Sequence, residues 1–401
     1  MKKYYLCGPT VYNYPHIGNI RPAVTFDIMI RAQRYLGEEV FYLHNITDID
    51  DKIIKKSIEE NKSEHEIAKK YEDYYLDLFK SFNLEMPTKI IRVTDSLDDM
   101  YKYIQKMIDK GAAYQVGGNV FFDVDKFNKV YGSISNQKIE HLISEENNEY
   151  GKKNSKDFAL WKETEVGIKY NSPFGLGRPG WHTECSCFID KFFNGETIDI
   201  HGGGIDLIFP HHENENIQHF SIYNNPISKN WIHFGTLNYK NQKMSKSIGN
   251  LIFPHDFLKK YNPDTYKLLM LSTNYSKPIN LTDQLFISNK SLVDKFIQIN
   301  NIVQIKEINN EIDNEKVNEV ITYIANLNFS HAYKEIMNLS KNELSFNTFL
   351  KIMNILGFVF TLNKVSEEDK NLYKKWKNLL NDKKYEEADK LRDILKERKL
   401  V

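Results

Sequence analysis

The chain has 401 residues, long for one folding unit, so two or three are expected. Hydrophobic residues make up 41% and aromatic residues 13%, which excludes disorder, and 54 Lys plus Arg balance 54 Asp plus Glu, so no global field advertises a polyanion, although a local basic face could still bind one. Three cysteines, an odd number, fit thiols or metal ligands in a reducing cytoplasm; no apolar run approaches the ~18 residues of a membrane span, and the first residues lack the apolar stretch of a signal peptide.

In chain order, residues 3–6 (Lys-Tyr-Tyr-Leu) read as a short strand, followed by a Gly8-Pro9 break. From His16 to Leu36 the apolar positions Ile17, Ile20, Val24, Ile28 and Tyr35 recur at helical spacing. Gly37 stops that helix, and Val40-Phe-Tyr-Leu43 supplies the next strand. Strand, glycine-bearing turn, helix and strand predict the opening of a parallel α/β sheet. One long helical stretch is expected from about Asp50 to Phe82. Alternation at Tyr114, Val116, Val120 and Phe122 predicts a small β insertion, and residues 136–156 read as polar turns. Strands recur at Thr197–Ile200 and Trp231–Leu237. From Phe286 onward the period is helical, with stripes at Leu292, Val293, Phe296 and Ile297 and at Phe349, Ile352 and Leu356. The expected architecture is a Rossmann-like parallel-sheet domain over 1–240, with an insertion at about 106–165. A connecting region over 241–285 and a helical domain over 286–401 follow.

Three stretches carry chemistry. His16-Ile17-Gly18-Asn19 falls where strand gives way to helix, and a helix start welcomes phosphate through free N–H groups and its positive dipole end. Gly18 omits a Cβ that would hold a nucleotide away, while His16 and Asn19 can donate to phosphate oxygens. Lys243-Met-Ser-Lys246-Ser247 places two ammonium groups three residues apart, suited to neutralising a leaving polyphosphate. The stretch from His201 to Glu215 puts imidazole and carboxylate one helical turn apart after Pro210, half of a metal site. Cys185 or Cys187, and Cys7, could supply thiolates; spacing alone chooses neither between those two cysteines nor between His211 and His212.

The first two motifs, in this order and roughly 225 residues apart, resemble the paired nucleotide signatures of class I aminoacyl-tRNA synthetases. Five further runs resemble the cysteinyl-tRNA synthetases within that class: Cys7-Gly-Pro-Thr-Val-Tyr12, Asn45-Ile-Thr-Asp-Ile-Asp-Asp-Lys52, Asp157-Phe-Ala-Leu-Trp-Lys162, Gly177 to Ser186 with Trp181-His-Thr-Glu-Cys185, and His201 to Glu215. The resemblance spans roughly residues 3 to 285. It implies one Zn²⁺ held by Cys7, Cys185, His211 and Glu215, touching the thiol of L-cysteine and rejecting serine, with no editing domain required. Cys187 is then a packing thiol. It also implies Mg²⁺ with ATP. Pro9, Gly18, Gly203, Gly204, Lys246 and Asp206 are expected at the nucleotide, Asp206 on the ribose. His16, Asn19, Lys243 and Lys246 are expected to stabilise the transition state, and Trp181, Thr47 and His182 to line the cysteine pocket. The partners it implies are a cysteine-specific tRNA, ATP and L-cysteine, in a cytoplasmic monomer, with the 241–285 region contacting the tRNA stem and the helical tail on the anticodon side. Zinc with four protein ligands is ordinarily closed, so the substrate must either make the ion five-coordinate or displace Glu215.

The chain departs from that pattern at both ends: few residues precede Cys7, and the tail is short. Leu327 to Ala332 stands where an Asp-Asp-Phe-Asn-Thr-Pro segment is expected, and Glu387 to Leu395 matches the last helix. Residues 371–401 hold ten Lys or Arg against six acidic groups, a local basic surface. A mycothiol-type ligase joining cysteine to an amino-sugar, and a silent paralogue acting as an RNA-binding module, are the other readings of the same motifs.

Overall fold

The computed structural model describes residues 1–137, 151–244 and 248–401, so part of the expected polar turns and Ser245, Lys246 and Ser247 lie outside the described residues. In chain order, β1 (Lys2–Leu6) leads to α1 (Arg21–Tyr35), β2 (Val40–Ile46), α2 (Asp51–Glu60), α3 (Glu64–Ser81), β3 (Lys89–Arg92) and α4 (Leu97–Asp109). Next come β4 (Ala113–Val116), β5 (Asn119–Phe122), β6 (Phe158–Glu163), β7 (Tyr170–Ser172) and β8 (Gly175–Pro179). Then α5 (Trp181–Phe193), β9 (Ile198–Gly204), α6 (Glu213–Tyr223) and β10 (Ser228–Phe234) follow. Last are β11 (Leu237–Tyr239), β12 (Gln242–Lys243), α7 (Pro254–Lys260), α8 (Pro263–Leu271), β13 (Ile279–Leu281) and the helices α9 (Asp283–Ile305), α10 (Asn314–Ala325), α11 (Phe329–Leu339), α12 (Phe346–Ile355), α13 (Glu367–Asn381) and α14 (Tyr385–Glu397).

By packing, the chain divides into two units: Met1–Pro15, Val40–Asp77 and Met86–Thr236 form the first, and His16–Glu39, Leu78–Glu85 and Leu237–Val401 the second. This differs from the three consecutive domains expected. Helical period reports that α1 has buried faces, and Arg21, Ala23, Val24, Thr25, Phe26, Asp27, Ile28, Met29 and Ile30 are all buried. It does not report which neighbours bury them, and α1 packs with α8, α10 and α12. The expected helix from Asp50 to Phe82 is two helices, parted where Asn61 takes a left-handed φ of 52°.

In the first unit an all-parallel sheet runs in the order β10-β9-β1-β2-β3. The connection order reverses between β1 and β9, and open parallel sheets bind ligands outside the carboxyl ends of their strands at such a point. Tyr5, Leu43, Ile91 and Ile198 from the sheet share one core with Met100 and Ile104 of α4 and Phe188 of α5. The inserted sheet is antiparallel, in the order β4-β5-β6-β8-β7, and reaches Pro179, past the expected limit near 165. The reason is that β8 is Gly-Leu-Gly-Arg-Pro, residues that read as loop. Its Gly180 neighbour donates N–H to Leu160 O at 2.8 Å, and a Cβ there would lie 1.9 Å from Ala159 O.

The second unit is mainly helical, with the small sheet β12-β11-β13. At its centre the buried Lys267 donates from Nζ to Gly357 O at 2.9 Å and to Leu356 O, Asn83 O and Asp27 Oδ2 at 3.3 Å. Asp27 also accepts Arg31 Nε at 2.9 Å and the Glu85 N–H at 2.8 Å. Burial lowers the Lys267 ammonium from its usual range, with the Asp27 charge opposing. Asp264 accepts the N–H groups of Val359 and Phe360 at 2.8 and 2.9 Å, so α8 grips the turn after α12. Phe296, Phe349 and Phe360 fill the helical tail, and α14 closes on α13 with Leu395 against Ile305 and Tyr373. Among the described residues no helix is long and apolar enough to cross a membrane.

Candidate metal centre and signature turns

Cys7 follows the carboxyl end of β1, where its N–H bonds Gly202 O of β9 at 2.9 Å. Asn45 holds this turn: its Oδ1 accepts Gly8 N–H at 2.7 Å and Tyr5 O–H at 2.9 Å. Gly8 tolerates no side chain there, since a Cβ would lie 1.6 Å from Asn45 O. Cys185 sits in the first turns of α5, and Glu215 in the first turn of α6. Pro210 does not start α6 as expected. A turn over Ile208–His212 intervenes, with Phe209 extended, and α6 begins at Glu213. The pairing of His211 with Glu215 survives because their spacing still spans one turn.

The four expected ligands converge at the switch point. Cys7 Sγ lies 3.9 Å from Cys185 Sγ and 3.9 Å from Glu215 Oε1; His211 Nε2 lies 3.5 Å from Cys185 Sγ and 2.9 Å from Glu215 Oε1. Ligands at ~2.3 Å (sulfur) and ~2.0–2.2 Å (nitrogen, oxygen) around a tetrahedral zinc are separated by about 3.3–3.8 Å; the donor set fits that ion in chemistry, and its spacings lie on either side of that range, with His211 and Glu215 at hydrogen-bond distance. Cys185, His211 and Glu215 are buried and Cys7 half-buried. Cys187 turns away into the core, 1% exposed, where burial pushes its thiol up.

Electrostatics agree with a cation-binding role. Burial would raise Cys185, but the hydrogen bond to Cys7 and the charge of His211 bring it down to about 6. Burial would lower His211, yet Glu215 and Cys185 hold it up at about 10. His201 and His211 keep the buried Glu215 well below the usual carboxylate range.

The pocket residues are placed less uniformly. Trp181 is 40% exposed and stacks on the His211 ring at 4.2 Å, so it walls the centre. His182 is not free to face a substrate with both nitrogens: its Nδ1 lies 3.2 Å from His211 Nδ1, behind the ligand, and burial beside His211 lowers it to about 3. Thr47 donates its hydroxyl to Glu184 Oε2 at 2.6 Å, and Pro9 O accepts Thr47 N–H at 3.1 Å. Burial raises the Glu184 carboxyl well above its usual range, with Thr47 opposing. Gly203 makes room for a ring, since a Cβ would lie 2.7 Å from His212; a Cβ on Gly204 would meet Asp206 Oδ1 at 2.3 Å. Asp206 is exposed, in the turn after β9.

In the second unit the His16–Asn19 turn meets the described start of the lysine motif. Gly18 N–H donates to His16 Nδ1 at 3.0 Å and His16 N–H to Asn19 Oδ1 at 2.9 Å, a reciprocal cap before α1. A neutral His16 ring that accepts at Nδ1 carries its hydrogen on Nε2. Met244 of the lysine motif lies over Gly18, its Cε 3.4 Å from where a Cβ would stand. Ile17 N–H bonds Ile252 O at 2.7 Å, and Tyr266 O–H bonds Ile17 O at 2.7 Å. Lys243 is exposed on β12, and its carbonyl accepts Asn250 Nδ2 at 3.3 Å.

Sequence reasoning did not assign Asn45, Glu184, His201, His212, His233 or Met244. Five of them, all but His233, lie inside runs singled out above for other residues, so the signal was proximity to a motif, without a partner to define a role.

Comparison with known proteins accords with this geometry. Residues 1–291 match the family described as the tRNA synthetases class I (C) catalytic domain. The chain is 42% identical to the cysteine–tRNA ligase of Malacoplasma penetrans, covering 100% of this chain and 95% of that one. It is 43% identical to that of Mesoplasma florum, covering 98% and 94%. Among solved structures, methionyl-tRNA synthetase of Mycobacterium tuberculosis with methionyl-adenylate aligns at a TM-score of 0.65 and 14% identity, over 89% of this chain and 90% of that one, a likeness of fold. With a family model over most of its length and relatives matched end to end, the chain belongs to the cysteine–tRNA ligase family of class I aminoacyl-tRNA synthetases.

Proposed function

We propose that this synthetase activates L-cysteine with ATP and transfers it to the 3′ end of a cysteine-specific tRNA in the cytoplasm. The observation that carries the reading is the convergence of two thiols, an imidazole and a carboxylate at the sheet's switch point. In the first step a cysteine carboxylate oxygen attacks the α-phosphorus, the bond to the bridging oxygen breaks, and pyrophosphate leaves. In the second the terminal ribose hydroxyl attacks the acyl carbon and AMP leaves.

Cys7, Cys185, His211 and Glu215 would hold one Zn²⁺. When bound, zinc supplies a soft Lewis acid that prefers a thiolate to the harder, more basic hydroxyl of serine. Trp181 bounds the space over His211 by stacking on its ring. His182 and Thr47 act behind the pocket, one fixing the His211 ring and the other anchoring Glu184 beside Cys185. His16 at Nε2, Asn19 at its amide, Lys243 and Lys246 take the phosphates that Mg²⁺ accompanies, and Gly18 lets them approach. Pro9, Gly203 and Gly204 are assigned to the adenosine and Asp206 to its ribose.

ATP–pyrophosphate exchange with each amino acid in turn, followed by charging of bulk tRNA, tests the reading. Exchange with cysteine alone and formation of cysteinyl-tRNA are expected. Exchange without charging, or exchange with serine at comparable efficiency, overturns it.

A further inference from the structure

Glu215 faces two ways. Its Oε1 lies 2.9 Å from His211 Nε2, and its Oε2 lies 2.6 Å from His201 Nε2. Cys7 is shared in the same manner, 3.9 Å from Cys185 Sγ on one side and 3.4 Å from His212 Nε2 on the other. The donor atoms thus form a second tetrad, Cys7, His201, His212 and Glu215, all within 4.8 Å of one another, which shares a thiol and a carboxylate with the first.

We propose that this second tetrad is a distinct cation site for a borderline thiophilic ion, Zn²⁺ or Cd²⁺, bridged to the first through Cys7 Sγ and the two oxygens of Glu215. It rests on the reading of the first tetrad as a zinc site. An imidazole ligand needs its other nitrogen anchored, and His212 Nδ1 lies 2.9 Å from His233 Nε2, which aims its Nε2 at Cys7. The His201 ring has no such anchor, since its buried Nδ1 has no hydrogen-bond partner among the described residues; stacking on Trp231 at 4.4 Å, at 0% exposure, fixes it instead. The backbone is cut away for the His212 ring at Gly203. A carboxylate bridge of this kind spans ions ~3.5–4 Å apart.

Charge points the same way. A dication on two thiolates and one carboxylate leaves one negative charge, and the second tetrad faces it across the shared edge. The ammonium of a substrate cysteine answers that charge, and so does a second ion, so the two compete. The first tetrad has two sulfur donors and the second one, so the first fills at lower concentration.

The test uses the full chain, freed of metal with a chelator and titrated with Zn²⁺ or Cd²⁺, with bound ions counted by native mass spectrometry. Two successive equivalents are expected, the second about ten-fold or more weaker, as fewer soft donors imply. Cysteine should weaken the second, and excess Zn²⁺ should inhibit exchange competitively with cysteine. His212→Ala should keep the first equivalent and lose the second, and His201→Asn should do the same from the other side. Wild type saturating at one equivalent, or both variants still taking two, overturns the second site. Wild type that takes no tight first equivalent overturns instead the zinc reading beneath it.

Discussion

Both units bury a knot of charge, and the two knots are built on opposite terms. Around Lys267 every charge has its answer within the chain: one ammonium, three carbonyl oxygens and the Asp27 carboxylate, itself met by Arg31 and a backbone N–H. Around Cys185 the chain supplies mostly acceptors, two sulfurs and a carboxylate, against imidazoles that must lose protons to bind a metal. Buried charge is therefore a poor marker of function taken alone, since structural ion pairs are buried too. The discriminating question is whether the charge balance closes without a ligand.

The contrast can be broken most forcefully at the first knot. Cys185→Ser or His211→Ala should strip zinc and lower cysteine-dependent exchange by about a thousand-fold, ~4 kcal/mol, while the protein stays folded. Full zinc by elemental analysis in both variants would place the ion elsewhere. At the second knot the pattern reverses. Lys267→Met should leave zinc bound but cost about 3 kcal/mol of stability by denaturant unfolding, because carbonyls and Asp27 lose their buried donor.

A third prediction concerns protons. Burial lowers His44 to about 4 despite its bond to Leu6 O, against ~6.5 unfolded. The unfolded state then binds the proton more readily. Stability attributable to His44 is complete above the unfolded value and falls as pH drops from ~6.5 towards 4, by up to about 3 kcal/mol. Unfolding midpoints between neutral pH and pH 5 should decline in wild type and decline less steeply in His44→Gln, where His182, His219 and His233 still contribute, with Lys267→Met declining in parallel with wild type. The smallest effect is expected for Thr47→Val, which leaves the Glu184 carboxyl without its donor. A rise of a few-fold in KM for cysteine, with ~1–2 kcal/mol of stability lost, would accord with an anchoring role. An unchanged KM would leave Thr47 with no part in the pocket.

Much of this was readable in advance, for reasons that differ between residues. The strands β1 and β2 and helix α1 follow from short apolar runs, helical period and punctuation, since these and Gly37 are local signals. The convergence of Cys7, Cys185, His211 and Glu215 became legible through the runs around them. Adjacent alternatives such as Cys187 are separated only by helix register, which turns residues two apart to different faces. What stayed hidden is nonlocal. No local pattern says that α1 packs with α10, that β8 pairs with β6, or that Glu215 offers its second oxygen to His201. Lys267 reads as one more lysine in a charged chain until four acceptors are seen to surround it.

The contact between Gly180 and the inserted sheet bears on how such proteins can be recombined. The backbone that starts α5, and so aims Cys185, rests directly on β6, with no room for a methyl group between them. A graft that exchanges the insertion between relatives at the tips of its loops would therefore move the abutment and leave the helix behind. Junctions should instead fall before β4 and after α5, so that strand, glycine and thiol travel as one cassette.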